Sequence, residues 1–346
     1  MASEDELDVA SYLGTLEHTA RDYVFIAATI AISVNLFHVF ILSRKSMTSS
    51  SMNSLLIGIA IVEILLPMKF FKIGIVDVYR HGNTLECSNL ESYNEVVLDL
   101  VLNVTNDCFR RCSCWLGLSL SVIRTISLRK VLNPRYDFLS KPSFGWKTFL
   151  VVISSSSLLS VPYLFRFGIQ KMGEVYCDPV NPLVSVYVIA EISNYSLLGY
   201  YAKKIQLFTT GIFGKILPSL MFPLIGILMI IELRKAGKLQ ANLAIATDKT
   251  SRIVIYMTVI FVIIEFPIGV CKLLRVTRPE DVDLIKASRS LEGLINIVYI
   301  CLTATHSLIC FTISSQYRET VRGVFGGWNV VRGSKIVSIV EVRAKS

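Results

Sequence analysis

Ten charged side chains stand inside or beside long apolar runs of this chain: Glu63, Lys69, Lys72, Asp99, Asp107, Arg110, Arg111, Lys215, Glu265 and Lys272. A charge taken out of water is costly unless it is paired or hydrogen-bonded. Within a membrane such residues mark ligand sites, ion routes or proton relays. Covalent chemistry has no comparable signature, since the chain lacks a glycine-rich phosphate loop, a His-Glu-x-x-His and a serine elbow. No enzyme is expected. The histidines, His18, His38, His81 and His306, make no ligand spacing with the cysteines, so neither a metal nor a cofactor is expected. The chemistry on offer is charge recognition.

Seven apolar stretches supply the elements that must position these charges, at about 23–42, 54–78, 97–122, 146–167, 206–233, 252–274 and 291–313. Each is near the roughly 20 residues that carry a helix across a bilayer. The expected fold is therefore an all-α membrane protein, a seven-transmembrane helix bundle, with the lipid bilayer as its first partner. A composition of 53% hydrophobic and only 18% charged residues agrees. The expected division is an extracellular N-terminus at 1–22, the bundle at 23–313 and a cytoplasmic tail at 314–346. No internal repeat or low-complexity tract interrupts it.

Lys and Arg crowd one set of loops: Arg44 and Lys45; Arg129, Lys130, Arg135, Lys141 and Lys147; Arg234, Lys235, Lys238, Lys249 and Arg252; and the tail from Arg318 onward. The positive-inside bias puts these in the cytosol. The other side opens on Glu4-Asp5-Glu6-Leu7-Asp8, which places the N-terminus outside. The net charge of +9 follows from this bias, and no nucleic acid is expected as a partner. The start has no basic segment with a short apolar core, so the first span is expected to direct insertion. Neither a myristoylation glycine nor a cysteine beyond Cys310 offers a lipid anchor. Residues 183–201 are also fairly apolar, but Glu191, Asn194 and three serines interrupt them. An eighth crossing there would carry Arg234, Lys235 and their neighbours outside, so a hairpin-like flap after Pro179 and Pro182 is expected instead.

Of eight cysteines, only Cys87 and Cys177 fall outside the spans. Both land on the extracellular side, where disulfides persist, and make a natural pair. Cys108, Cys112, Cys114, Cys271, Cys301 and Cys310 lie in apolar helices and read as small buried hydrophobes. Asn194-Tyr195-Ser196 is a glycosylation sequon on the outside, whereas Asn103-Val104-Thr105 lies too far into the third span.

Several short motifs follow one another in a telling order. Asn35 and His38 stand in the first span, and Met52-Asn53-Ser54-Leu55-Leu56-Ile57-Gly58-Ile59-Ala60 opens the second. Trp115-Leu116-Gly117 precedes Ile123-Arg124-Thr125 in the third, and Pro218 marks the fifth. Glu265-Phe266-Pro267 falls in the sixth, and Ser314-Ser315-Gln316-Tyr317-Arg318 follows the seventh. Together, over about residues 25–326, they resemble the rhodopsin-like G-protein-coupled receptors. Within these the chain resembles the nematode serpentine receptor class W, whose members are similar to FMRFamide-type neuropeptide receptors.

The resemblance implies a rhodopsin-like bundle with a short amphipathic eighth helix. It implies that Arg124 lies at the base of a cytosolic cleft that meets a heterotrimeric G protein, and that Pro218 and Pro267 are activation hinges. Asn35, Glu63 and His306 would form a polar core, which in relatives binds sodium or water and here could equally be structural packing. Departures stand beside these matches. Ile123 and Thr125 replace the usual acid and tyrosine, Glu63 an aspartate, Glu265 a tryptophan, and His306-Ser307-Leu308-Ile309-Cys310 the usual Asn-Pro-x-x-Tyr. In relatives the first disulfide partner sits at the top of the third helix, nearer its arginine than Cys87 is to Arg124.

The implied ligand site comprises Lys72, Asn106, Asp107, Arg110, Arg111, Glu265, Lys272, Arg275 and Glu292, on the outer halves of the second, third, sixth and seventh helices. There Lys72, Arg110, Arg111, Lys272 and Arg275 outnumber Asp107, Glu265 and Glu292, so an acidic ligand group is one expectation. An Arg-Phe-amide peptide would instead use Asp107 or Glu292. Asp107 and Arg111, four residues apart on a helix, can also satisfy each other. The expected function is a G-protein-coupled receptor with an extracellular peptide or small-molecule ligand, a neuropeptide first and an environmental chemical second. A polytopic transporter or channel is the alternative from another class. It is disfavoured by the odd span count and the lack of similar halves.

Overall fold

The computed structural model describes residues 4–82, 90–130, 138–175, 183–192, 196–239, 259 and 262–325. Helix α1 (Glu4–Leu42) runs without a break from the acidic N-terminal segment into the first apolar stretch. The second stretch is two helices, α2 (Ser51–Leu65) and α3 (Met68–Gly82). Pro67 divides them, because it has no N–H to extend the ladder of α2. The N–H groups of Phe70 and Phe71 both turn to Pro67 O at 3.0 Å. Leu66 O is left over, and Asn106 Nδ2 of the next helix donates to it at 2.8 Å.

Helix α4 (Tyr93–Lys130) starts on a reciprocal cap, in which Ser92 N–H donates to Glu95 Oε2 at 2.8 Å and Glu95 N–H to Ser92 Oγ at 3.4 Å. Helix α5 (Pro142–Arg166) has its proline in the first turn, where the missing N–H costs nothing. An antiparallel hairpin follows, β1 (Phe167–Val175) and β2 (Val184–Glu191), in register from Phe167 opposite Glu191 to Val175 opposite Val184, with a bulge between Lys171 and Gly173. The flap read from residues 183–201 is thus a strand only as far as Glu191. Its partner strand lies earlier, directly after α5. The fifth span also begins earlier than position 206, because α6 (Leu197–Gly211) already includes Leu197–Tyr201.

The fifth span then widens. Leu217 N–H reaches back five residues to Ile212 O, which makes Ile212–Ile216 a π-turn ahead of α7 (Leu217–Leu239). Pro218 follows with no N–H to offer Phe213 O. That carbonyl has lost both possible donors of its own helix, and Trp115 Nε1 of α4 donates to it at 2.9 Å. Phe213 is at the apolar surface, where an unpaired carbonyl costs several kcal/mol.

Helix α8 (262–277) is the described part of the sixth span. The seventh is α9 (Val282–Thr303) and α10 (Thr305–Ile313), broken at Ala304. The expected amphipathic eighth helix is α11 (Ser315–Phe325). Its Tyr317 is buried, with the hydroxyl 2.9 Å from His38 Nδ1 on α1, and Gln316 Nε2 donates to Ser46 O at 2.5 Å.

Among the described residues, five stretches are long and apolar enough to cross a membrane: Tyr23–Leu42, Ser51–Arg80, Pro142–Arg166, Leu197–Glu232 and Val282–Thr312. The third span differs because α4 carries Asp99, Asp107, Arg110 and Arg111, and the sixth lies partly outside the described residues. The chain is mostly helical, and its core runs between α2, α4 and α5 through Leu55, Val62, Cys112, Leu116 and Ile123. Outward faces are apolar too, as at Leu150, Val151 and Leu158 of α5. Four of the six span cysteines are buried as expected, but Cys310 is half-buried and Cys301 lies on the surface of α9. Cys87, Cys177 and Asn194 lie outside the described residues.

Candidate functional site

The buried charges meet in three groups. At the centre, Glu265 of α8 is 1% exposed and accepts from two cations, Arg110 Nε of α4 at 3.2 Å and Lys215 Nζ of the π-turn. The Arg110 guanidinium also lies over the Tyr299 ring of α9, 4.7 Å from its centroid. Gly269 is what lets the fifth and sixth spans come this close, since a Cβ there would stand 2.7 Å from Ile216 Cγ1 and 2.9 Å from Lys215 Cβ. Burial makes these pairs exacting, because neither the carboxylate nor the two cations can turn to water.

About two to three turns further along α8, Lys272 Nζ and Arg275 Nη2 both reach Glu292 of α9, at 2.6 and 2.5 Å. Arg275 is fixed further by Ser288, whose Oγ accepts from its Nε at 2.8 Å. The two groups therefore set four cations against two carboxylates. Arg110 also keeps one buried donor, Nη2, without an acceptor among the described residues.

The third group is self-contained. Arg111 Nη2 donates to Asp107 Oδ2 at 2.7 Å, the pairing their spacing allows. Arg111 Nη1 also donates to Ser156 O at 2.8 Å, and Nη2 to Thr210 Oγ1 at 3.1 Å. Ser160 Oγ in turn donates to Asp107 at 3.1 Å. These bonds tie α4 to α5 and α6. At the outer edge Arg166 Nε reaches Glu191 of β2 at 2.6 Å and Lys203 Nζ reaches it at 3.2 Å, anchoring the hairpin to α5 and α6. Burial alone would raise the Glu191 carboxyl, but Arg166 and Lys203 outweigh it and hold the group below its ordinary range.

Not every expected residue joins the central cluster. Lys72 is held by Asp99 at 2.8 Å, Asn106 caps the break at Pro67, and Arg111 is spent on Asp107. The positive surplus expected from Lys72 and Arg111 is corrected accordingly: both are neutralised by acids of α4, and the surplus is supplied by Arg110, Lys215, Lys272 and Arg275. Lys215 was absent from the expected ligand set. Its only sequence signal is a lysine in an apolar run three residues ahead of Pro218.

Nearer the middle of the bundle, His306 Nδ1 pairs with the fully buried Glu63, and Asn35 Nδ2 donates to Ala31 O at 3.0 Å and to Thr303 O at 3.4 Å. Glu63 and His306 thus touch, while Asn35 holds the end of α9 three residues before His306. Arg124 is half-buried in the last third of α4, with Nη1 3.5 Å from Met52 Sδ. No carboxylate pairs with it among the described residues. Ile123 beside it is buried in the core, so the residue that replaces the usual acid packs and does not restrain the arginine.

The described residues form a bundle of apolar helices around a buried, net positive ionic cluster. The chain matches the model of the serpentine type 7TM GPCR chemoreceptor Srw over residues 22–328, and it belongs to that family. It is accordingly a G-protein-coupled receptor, a multi-pass membrane protein and not an enzyme, with a ligand and a G protein as its partners. No curated protein matches the chain.

Proposed function

We propose that this receptor lies in the plasma membrane with its N-terminus outside and binds an extracellular ligand through an acidic group. The ligand's acid meets Arg110, Lys215, Lys272 and Arg275, and binding drives nucleotide exchange on a heterotrimeric G protein at the Arg124 end. The observation that carries this reading is the unmatched Nη2 of buried Arg110 beside a cluster with twice as many cations as carboxylates. A carboxylate arriving there gains charge-assisted hydrogen bonds and relieves the repulsion among the cations. An Arg-Phe-amide peptide fits less well, since Asp107 and Glu292 already hold basic partners. A neuropeptide would have to bring an acid of its own, as would an environmental chemical.

A seven-helix receptor is a two-state element, and an agonist works only to the extent that it favours the active packing. Arg124 lies 13 residues beyond Arg111 on α4, about 20 Å along the helix. It is therefore too distant to touch the ligand. The test is Gα nucleotide exchange in cells given matched panels of organic acids, acidic peptides and amidated peptides. Acids should activate, and Arg124→Ala should abolish exchange while leaving ligand binding and surface expression intact. Activation by amidated peptides alone would refute the acidic-ligand reading, and uptake or current without exchange would point to a transporter.

The same orientation assigns a Cys87–Cys177 disulfide and an N-glycan at Asn194. Glycosidase should increase the gel mobility of wild type and leave Asn194→Gln unchanged. A wild type that does not shift would remove the strongest external marker of this topology.

A further inference from the structure

A crevice of about 430 Å³ runs between α3 and α4, and none of its lining residues belongs to the ionic cluster. Its walls are apolar, with Met68 and Phe71 on α3 and Leu102 and Phe109 on α4. Leu98 and Val101 at its edge are exposed, so in a membrane it opens onto lipid. Two polar side chains line it, Lys72 and Thr105. Thr105 spends its hydroxyl proton on Val101 O at 2.9 Å. Lys72 is different. Its Nζ lies 2.8 and 2.9 Å from the two oxygens of Asp99, its one acceptor among the described residues. An ammonium has three N–H donors and a single carboxylate can take two of them, so at least one is left for an acceptor in the crevice. The pair can also be reached, at 15% and 18% exposed against 2% and 1% for Lys215 and Glu265. Lys72 lies six residues inside the end of the second apolar stretch at 78, about 9 Å along the helix. A charged pair that faces hydrocarbon at that depth is costly unless polar groups satisfy it.

We propose that this crevice is a lipid site for a rigid lipid alcohol, a sterol-type body that carries one hydroxyl. The Lys72–Asp99 pair is neutral overall and presents a donor beside an acceptor. A hydroxyl answers both, accepting from Lys72 Nζ and donating to Asp99. An anionic head would face Asp99, and an amine would face Lys72. A phospholipid keeps its head in water and brings only acyl chains to this depth, which give the pair nothing. A fused-ring body has few rotors to freeze against Met68, Phe71, Leu102 and Phe109, and this favours it over a straight-chain alcohol. The site stands whether or not the acidic-ligand reading holds, because neither Lys72 nor Asp99 takes part in the ionic cluster.

The probe is tritiated cholesterol, bound to the purified full-length receptor in detergent and displaced by unlabelled lipids. Cholestene, which lacks the hydroxyl, should compete about tenfold or more weaker than cholesterol, as loss of a hydrogen bond to a charged group requires. Octadecanol, which keeps the hydroxyl and lacks the rings, should also be weaker. Lys72→Met combined with Asp99→Leu removes both charges together, so no ion is stranded and the fold is spared. It should lower cholesterol affinity about tenfold and leave that of cholestene unchanged, which erases the preference for the hydroxyl. Val101→Trp fills the crevice from its exposed edge, where the fold tolerates change, and should abolish binding of both. Equal affinity of cholesterol and cholestene for wild type, or full cholesterol affinity in Val101→Trp, would overturn the proposal. So would a double variant that still prefers the hydroxyl, since the hydroxyl would then be read elsewhere. Displacement of the label by phosphatidylcholine as readily as by cholesterol would assign the crevice to acyl chains instead.

Discussion

Glu265→Gln should reduce surface expression of the receptor to a small fraction of wild type, the largest effect expected of any single substitution in the bundle. Glu265 is the shared partner of Arg110 and Lys215, and all three are buried. Removing its charge leaves two cations facing each other without a carboxylate. Breaking a buried pair in this way costs about 3–5 kcal/mol, much of the roughly 5–15 kcal/mol by which a protein is stable. Glu265→Gln combined with Lys215→Met should recover part of the loss, because one of the stranded cations is gone. Lys215→Met alone keeps the Arg110–Glu265 pair, so it should reach the surface yet respond to an acidic agonist with about tenfold lower potency. Flow cytometry of tagged receptor reads the first two, and a Gα exchange assay the third. Wild-type expression of Glu265→Gln would mean that water or lipid headgroups reach the cluster and that it is not the sealed centre described above.

The parts of this fold that were legible in the sequence are those set by local chemistry. The apolar stretches of the first, second, fourth, fifth and seventh spans reappear as long helices, and the motif through Ser314-Ser315-Gln316-Tyr317-Arg318 opens α11. The i,i+4 spacing of Asp107 and Arg111 announced their pairing. The π-turn ahead of Pro218, a residue that the resemblance implies as a hinge, was not legible. That turn takes Leu217 N–H to Ile212 O, and the group that serves the Phe213 O left over is Trp115, 98 residues away. Lys215 meets Glu265 across 50 residues, an encounter that depends on the wide turn and on the closeness that Gly269 permits. Strand β1 escaped notice for another reason. Gly168 and Gly173 weaken its strand character, and the alternation that would reveal it is broken by the bulge.

The acidic and basic residues of α4 should behave as a structural pair and not as a ligand contact. Asp107→Ala leaves Arg111 with donors on Ser156, Ser160 and Thr210 but no counter-charge. Arg111→Ala leaves Asp107 buried beside Ser160 and Thr210. Each single change should cost about 2–5 kcal/mol, because it strands a charge in a dry interior. The double change removes both charges together, and its cost should fall short of the sum of the singles by about 1–3 kcal/mol, the range of coupling for residues in direct contact. Thermal stability of purified receptor gives these terms directly, and agonist potency among molecules that reach the surface gives the functional ones. Potency should be nearly the same for wild type and the double variant, since ligand recognition rests with Arg110 and its neighbours. If the double variant instead loses potency as far as the worse single variant, one of the two residues holds the ligand. The acidic-ligand site would then have to extend across α4 toward α5 and α6.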